Sequence, residues 1–279
     1  MSVLIQPAEL AEALAGAHPP VVLDARYPGP AATGNGLPAF EAAHIPGSVW
    51  VDVDTELAGP HLGPGGRHPL PDPEAFAAAM RRVGVRHDRG VVVLDAANSL
   101  AAARLWWLLR DAGHEDVRVL DGGFAAWERA GGVVATGPAK AATEGDFAGR
   151  PGRLPIVGPT EIQALIESGV DPRLWDVRTP ERYRGESEPI DPVAGHIPGA
   201  RNLPATTLFE DDGTFLPADR LRTALAGVNA SDTLYCGSGL TAAQVLLAME
   251  VAGVAEGVRL YPGSWSDWIS SPDRPVATG

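Results

Sequence analysis

A single cysteine, Cys236, stands where a predicted strand ends and a glycine-rich loop begins. The segment over residues 233–242 reads Thr-Leu-Tyr-Cys-Gly-Ser-Gly-Leu-Thr-Ala, and its second half predicts a helix. Glycines let successive backbone N–H groups turn toward one point. Those groups and the positive end of the following helix stabilise an anion. A thiol placed there would be held as a thiolate, which is a strong nucleophile. The loop therefore predicts covalent catalysis by a cysteine.

The chain repeats itself once. Five short landmarks occur twice in the same order, with offsets of 141 to 152 residues between the copies. The paired landmarks are residues 21–26 and 174–178, 44–47 and 196–199, 120–123 and 261–264, 127 and 268, and 134–137 and 276–279. Such self-similarity predicts two related domains, which we place at residues 1–137 and 159–279. The segment 138–158 between them is rich in Ala, Gly and Pro and predicts a linker.

The repeat sets Cys236 apart from its counterpart. At an offset of 141 residues, the corresponding position in the first half is Asp95. The first domain is therefore expected to lack the nucleophile. A lone cysteine is more often a small buried hydrophobe than a catalytic group, but the glycine-rich loop before a helix favours the catalytic interpretation.

Short apolar runs alternate with helical patterns in both halves. The predicted strands are residues 20–24, 91–95 and 117–120 in the first half and segments near Leu174 and Leu234 in the second. Predicted helices follow the N-cap Asp72, start near Ser99 and Thr241, and start at a capping box at Thr160. This alternation predicts a parallel sheet with helices on both faces in each domain. Ligands of such sheets bind at the carboxyl ends of the strands, where Cys236 lies.

Composition narrows the class of protein. The 279 residues include 22 basic and 35 acidic side chains, a net charge of −13. This surplus argues against nucleic acid or an anionic membrane as a partner, since both are polyanions. One cysteine excludes an internal disulfide and a cysteine-rich metal site. Residues 1–7 show no basic region before an apolar run, so no signal peptide is expected and a cytoplasmic location is predicted.

With these features, the chain resembles the tandem-domain rhodanese family. The resemblance rests on the duplicated halves, the twin His-Ile-Pro-Gly motifs, the cysteine loop, and the segment Gly-Ser-Trp-Ser-Asp-Trp at 263–268. The loop is most similar to that of the 3-mercaptopyruvate sulfurtransferase branch, which reads Cys-Gly-Ser-Gly-Val-Thr. Thiosulfate-preferring relatives carry basic residues just after the cysteine, whereas Gly237 and Ser238 are uncharged.

The resemblance implies two tandem rhodanese-like domains and a two-step sulfur transfer. The Cys236 thiolate takes the sulfane sulfur of a small anionic donor, 3-mercaptopyruvate or thiosulfate, and becomes a persulfide. Cyanide, a small thiol or a thioredoxin-like protein then accepts the outer sulfur. No metal or organic cofactor is implied.

The resemblance also implies the residues that bind the donor. Arg182 matches the family's substrate-binding arginine. The related enzymes carry a second arginine further along that loop, but residues 186–192 contain none, and Arg184 is a partial substitute. The remaining donor-binding positions are those of the loop itself, Gly237, Gly239, Leu240 and Thr241.

A proton relay is implied near the nucleophile. By the match to the mercaptopyruvate branch, Asp54 and His68 join Ser238 beside Cys236. Histidine can carry a proton at neutral pH, and an aspartate can orient it. The glycine- and proline-rich stretch 59–66 between Asp54 and His68 is longer than in the family.

The repeated motifs themselves are expected to be structural. Asp24 and Arg26 stand at a strand end, as Asp176 and Arg178 do, and each pair is expected to form an ion pair. The histidines of the His-Ile-Pro-Gly motifs are expected to anchor turns.

Three other functions are alternatives to that of a mercaptopyruvate enzyme. The first is a sulfurtransferase that prefers thiosulfate as its sulfur donor, and this alternative stays open. A non-catalytic sulfur carrier or regulatory binding module stays open as a different class, although the intact nucleophile loop argues against it. A phosphatase of a related fold would need an arginine six residues after the cysteine, where this chain has Ala242.

Overall fold

Residues 2–29, 32–61 and 65–279 are described by a computed structural model of the chain. They form two compact units. The first takes in the described residues of Met1–Ala58 together with Pro71–Arg153 and Phe209–Leu216. The second takes in those of Gly59–Leu70 together with Leu154–Leu208 and Pro217–Gly279. Each unit thus includes a short segment from the other half of the chain, and the predicted domain limits at 137 and 159 stay a prediction.

The first unit contains a five-stranded sheet in which the strand pairs are parallel. Its order is β1-β5-β4-β2-β3, and the strands are β1 (Leu4–Ile5), β2 (Val21–Asp24), β3 (Val49–Trp50), β4 (Val91–Leu94) and β5 (Val117–Leu120). Its helices are α1 (Pro7–Ala15), α2 (Leu37–Ala42), α3 (Pro73–Arg82), α4 (Leu100–Asp111) and α5 (Gly123–Arg129). All four residues of β4 are buried, as expected for a central strand covered on both faces.

The second unit contains a four-stranded parallel sheet of order β7-β6-β8-β9. The strands are β6 (Leu174–Asp176), β7 (Arg201–Asn202), β8 (Thr233–Tyr235) and β9 (Arg259–Leu260). The helices are α6 (Pro159–Glu167), α7 (Pro180–Arg184), a 3₁₀ turn (Ala205–Leu208), α8 (Ala218–Ala224), α9 (Leu240–Ala252) and α10 (Ser264–Trp268). Nearly all of α9 is apolar and buried, which is typical of a helix surrounded by other elements.

The predicted fold class is confirmed, since each unit is a parallel sheet flanked by helices. The N-cap of α3 is also confirmed, because the Asp72 carboxylate accepts N–H bonds from residues 74 and 75. The capping box at Thr160 is wrong. Helix α6 already begins at Pro159, whose fixed φ favours the first helical position, and Gly158 precedes it without a side-chain cap.

The repeated aspartate and arginine form buried ion pairs in both units. In the first, Asp24 is fully buried and accepts bonds from the N–H, Nε and Nη2 of Arg26. In the second, Arg178 Nη2 lies 2.5 Å from Asp176 Oδ2. Burial lowers the pKa of Arg178, but its bonds to the Asp176 carboxylate outweigh this and raise the pKa above its usual value. These pairs fix the strand ends that precede the loops.

No helix in the described part of the chain is long and apolar enough to cross a membrane.

Replacing Asp24 with asparagine should destabilise the chain markedly. The buried Arg26 would lose its counter-charge, which costs about 3–5 kcal/mol of unfolding free energy. Urea unfolding followed by tryptophan fluorescence measures the loss. Asp88→Asn is the control, since its pair with Arg86 is exposed and worth less than about 1 kcal/mol. Equal effects of the two substitutions would contradict a structural role for the buried pair.

Candidate active site

The Cys236 loop joins β8 to α9. Cys236 directly follows Tyr235, the last residue of β8, and its side chain is buried. Three residues later Gly239 adopts a left-handed conformation (φ 89°) immediately before the first residue of α9, Leu240. The Gly239 N–H thereby turns back and donates a hydrogen bond to Cys236 Sγ at 3.1 Å. The sulfur lies near the N-terminus of α9, where the helix dipole favours a negative charge.

The backbone of the loop is held by α10. The Cys236 N–H donates to Ser264 Oγ at 3.1 Å. The Cys236 carbonyl accepts from the Trp265 N–H at 2.9 Å, and the Gly237 carbonyl accepts from the Ser266 N–H at 3.0 Å. Three consecutive residues of α10 therefore fix two consecutive residues of the loop.

Ser264 was not singled out from the sequence. It has a left-handed backbone (φ 55°), which is unusual for a residue other than glycine. Its hydroxyl donates to the Tyr261 carbonyl at 2.9 Å and lies 4.0 Å from Cys236 Sγ. The one signal for it was the repeat, because the matching residue of the first unit is Gly123, also at positive φ.

Ser238 and His68 are brought together as predicted. Both side chains are buried, and His68 Nδ1 lies 2.7 Å from Ser238 Oγ. His68 is far from Ser238 in sequence but belongs to the same compact unit, through the segment Gly59–Leu70. The hydroxyl and imidazole thus form a polar pair two residues from the cysteine.

The segment 65–68 that carries His68 is attached to α10. The Gly65 N–H donates to Asp267 Oδ1 at 2.9 Å, and the Arg67 N–H donates to Ser266 Oγ at 3.1 Å. Gly66 between them has φ 80°, and a Cβ there would come within 2.5 Å of the Gly263 carbonyl oxygen. Only glycine fits this close approach.

Asp54, the third predicted member of the relay, lies in the first unit. Its N–H donates to Asp52 Oδ1 at 2.9 Å. Partial burial raises the pKa of Asp54, and the neighbouring Asp52 charge raises it further. Its part in the relay stays a prediction.

Arg182 lies beside the loop, next to Gly237. Its Nε and Nη2 donate to the two oxygens of Glu188 at 3.0 and 2.7 Å. Nη2 also contacts Asp191 Oδ2 at 3.2 Å. A Cβ built on Gly237 would lie 3.5 Å from Arg182 Nη2. The guanidinium therefore adjoins the residue that follows Cys236.

A second arginine at this point was missed from the sequence. A Cβ on Gly237 would lie only 2.9 Å from Arg67 Nη2. Arg67 Nη1 pairs with Asp191 Oδ1, so the Asp191 carboxylate bridges Arg67 and Arg182. Arg67 stands next to His68 in the chain, but no local pattern distinguishes it from a surface arginine.

The remaining predicted binding residues differ in position. Arg184 pairs with Glu186, and its side chain is 40% exposed. Leu240 is buried and Thr241 half-buried in the first turn of α9.

The carboxylates behind the two arginines are almost fully buried. Burial raises the pKa of Asp191, and the charge of Arg67 only partly opposes this. Burial also raises the pKa of Glu188, but its bonds from Arg182 outweigh the effect and hold that pKa below its usual value. Glu188 is therefore negatively charged at neutral pH and serves as the counter-ion of Arg182.

The matching loop of the first unit is filled by a carboxylate. Asp95 follows β4, is buried, and accepts N–H bonds from Ala97, Ser99, Ala101 and Ala102 at 2.9–3.3 Å. Burial raises the pKa of Asp95, while the four N–H bonds oppose the rise. In both units, backbone N–H groups of the loop between a central strand and a helix thus donate to the first side chain after the strand.

Within the described ranges, no group of three or more His, Cys, Asp and Glu side chains could hold a metal ion.

Comparison with known proteins gives the same organisation. The rhodanese-like domain family matches the chain twice, at residues 6–130 and 158–271. A Mycobacterium tuberculosis protein named "Putative thiosulfate sulfurtransferase SseB" is 41% identical over 99% of this chain and 97% of its own length. A Pseudomonas aeruginosa protein named "Probable 3-mercaptopyruvate sulfurtransferase" is 44% identical over 88% of this chain and 87% of its own.

A solved structure is similar over nearly the whole chain. The crystal structure of SseA from Escherichia coli, described as a 3-mercaptopyruvate sulfurtransferase with the rhodanese fold, superposes with a TM-score of 0.81 at 33% identity. The match covers 95% of this chain and 100% of that one. These relatives confirm the predicted class of enzyme, a sulfurtransferase. The chain belongs to the rhodanese-like domain family, with two such domains in tandem.

Proposed function

We propose that this sulfurtransferase moves the sulfur of 3-mercaptopyruvate to a nucleophilic acceptor through a persulfide on Cys236. The observation that carries the proposal is the hydrogen bond from the Gly239 N–H to Cys236 Sγ at the N-terminus of α9. It supports a reaction through this sulfur, because an amide donor and a helix N-terminus both stabilise the negative charge that develops during transfer. The second domain carries the reaction, and the first, with Asp95 at the matching position, has no nucleophile there.

In the first step the Cys236 thiolate attacks the sulfur atom of mercaptopyruvate. A sulfur–sulfur bond forms and the carbon–sulfur bond breaks, leaving its electron pair on the carbon as the enolate of pyruvate. That carbon takes up a proton, and the thiol of the donor gives one up. The products are the Cys236 persulfide and pyruvate, with no net change in protons.

Ser238 and His68 are the groups proposed to carry that proton. Their contact at 2.7 Å allows a proton to pass between hydroxyl and imidazole. Asp54 is proposed to orient His68, as the resemblance implies. Thiosulfate does not need this proton, because sulfite leaves as a stable anion.

In the second step an acceptor attacks the outer sulfur. Cyanide gives thiocyanate and restores the Cys236 thiolate. A small thiol or a thioredoxin-like protein can accept the sulfur in the same way. This order of events is covalent, ping-pong catalysis. A cytoplasmic location also stays a proposal.

Thiosulfate is the second candidate donor. Two guanidinium groups adjoin Gly237, as an anionic donor requires. The name of the Mycobacterium tuberculosis relative also favours thiosulfate as the donor. The loop residues Gly237 and Ser238 carry no charge, however, and the adjoining arginines are already paired with carboxylates. Both observations favour the singly charged mercaptopyruvate over the dianion.

Cys236→Ser should abolish transfer from both donors, by more than about 10³-fold in kcat/KM, because a hydroxyl is not a nucleophile for this step. The melting temperature should stay close to that of the native chain. In parallel, native protein treated with mercaptopyruvate alone should gain about 32 Da, one sulfur atom. Retained turnover in the serine variant, or no added mass on the native chain, would remove Cys236 from the mechanism.

Ser238→Ala and His68→Gln should each lower kcat with mercaptopyruvate by about 10²-fold or more, as expected for loss of acid–base catalysis. Their effect with thiosulfate should be much smaller, since sulfite leaves without a proton. Steady-state kinetics with each donor and cyanide as acceptor provide the measurement. His87→Gln is the matched control, because that imidazole is exposed in the first unit and pairs with Asp146. The relay is wrong if both donors slow equally.

A further inference from the structure

We propose that Arg67 is a second donor-binding residue, which acts with Arg182 and is held in place by Asp191. This inference rests on the proposed function, because it identifies what holds the donor in front of Cys236. It concerns a residue that is distant from Arg182 in the sequence and reaches the loop through the segment Gly59–Leu70 of the second unit.

Both guanidinium groups leave N–H donors directed to the space beside Gly237. A Cβ on Gly237 would lie 2.9 Å from Arg67 Nη2 and 3.7 Å from Arg182 Nη1. Among the described residues, neither nitrogen donates a hydrogen bond to a protein acceptor. Two free donors therefore converge one residue after the nucleophile, which is the arrangement that a planar carboxylate accepts.

A third donor at this point is unsatisfied. Arg67 Nε is shielded from solvent and lacks a hydrogen-bond partner within the described ranges. A buried N–H without an acceptor costs free energy that a bound ligand can restore. Arg67 is thus positioned by its backbone bond to Ser266 and its pair with Asp191, yet part of its guanidinium lacks an acceptor.

The Asp191 carboxylate sets the distance between the two arginines. Its Oδ1 pairs with Arg67 and its Oδ2 with Arg182 at 3.2 Å. Its side chain is only 3% exposed, so little solvent screens these contacts. One rigid carboxylate therefore presents both guanidinium groups on the same side of Gly237.

The ion pairs around Asp191 also determine the net charge next to the proposed donor-binding space. Three guanidinium groups face three carboxylates, and the members are Arg67, Arg178, Arg182, Asp176, Glu188 and Asp191. The formal charge of the cluster is therefore balanced. It offers directed N–H donors without surplus positive charge, which suits a donor with one carboxylate better than a compact dianion.

Arg67→Met should raise KM for mercaptopyruvate by about 10- to 100-fold, the loss expected for a hydrogen bond to a charged group. KM for thiosulfate should rise less, and kcat at saturating mercaptopyruvate should fall less than KM rises. Arg67→Lys, which keeps the charge and one donor, should recover part of the loss. Arg201→Met is the matched control, because Arg201 forms an exposed pair with Asp171 in the same unit.

Asp191→Asn separates binding from structural damage. The substitution leaves one acceptor but adds one net positive charge to the cluster. KM for mercaptopyruvate should rise, because the two arginines lose their bridge, while KM for thiosulfate should fall several-fold. General damage to the site would instead raise KM for both donors.

The outcomes distinguish this inference from the proposed function. If the native chain forms a persulfide from mercaptopyruvate and Arg67→Met leaves both KM values unchanged, the donor-binding role of Arg67 is overturned while the function stands. If Asp191→Asn impairs both donors alike, the charge argument is overturned. If the native chain forms no persulfide from either donor, the proposed function itself fails.

Discussion

One amide hydrogen directed at one sulfur is the contact on which the site depends. The Gly239 N–H reaches Cys236 Sγ only because residue 239 adopts a left-handed backbone just before α9. That turn in turn requires the loop backbone to be fixed, and α10 fixes it through bonds to Cys236 and Gly237. Cys236 is therefore held by the Gly239 N–H, by the Trp265 N–H and by the Ser264 hydroxyl.

The charged groups around this loop are organised in layers. Arg178 is almost fully buried and pairs with Asp176, at the end of β6, and with Glu188. Arg182 and Arg67 are nearer the loop and are only partly paired. The inner arginine is paired on both sides, whereas each outer one leaves an N–H donor unbonded, and these donors are the ones proposed to bind the sulfur donor. The same residue type thus serves two purposes, and burial decides which.

Much of the fold and of the Cys236 loop could be predicted from residues that are neighbours in the sequence. The strand before Cys236, the glycines after it and the helix that follows are neighbours in the chain, so their arrangement could be predicted from local spacing alone. The parallel sheets followed from the alternation of apolar runs. Arg67 and Ser264 could not be found in this way, because their importance comes from contacts with a loop far away in sequence. Even the start of α6 was set by Pro159, one residue before the expected capping box.

Because the segment Gly59–Leu70 belongs to the second unit, the protein cannot be cut between its two halves without removing residues from that unit. A fragment cut in the linker would keep the cysteine, its loop and Arg182. It would lose the imidazole beside Ser238 and the guanidinium paired with Asp191, because both arrive from the other side of the cut. The two halves of the sequence are therefore not self-sufficient modules, and the proposed catalytic centre needs one uninterrupted polypeptide.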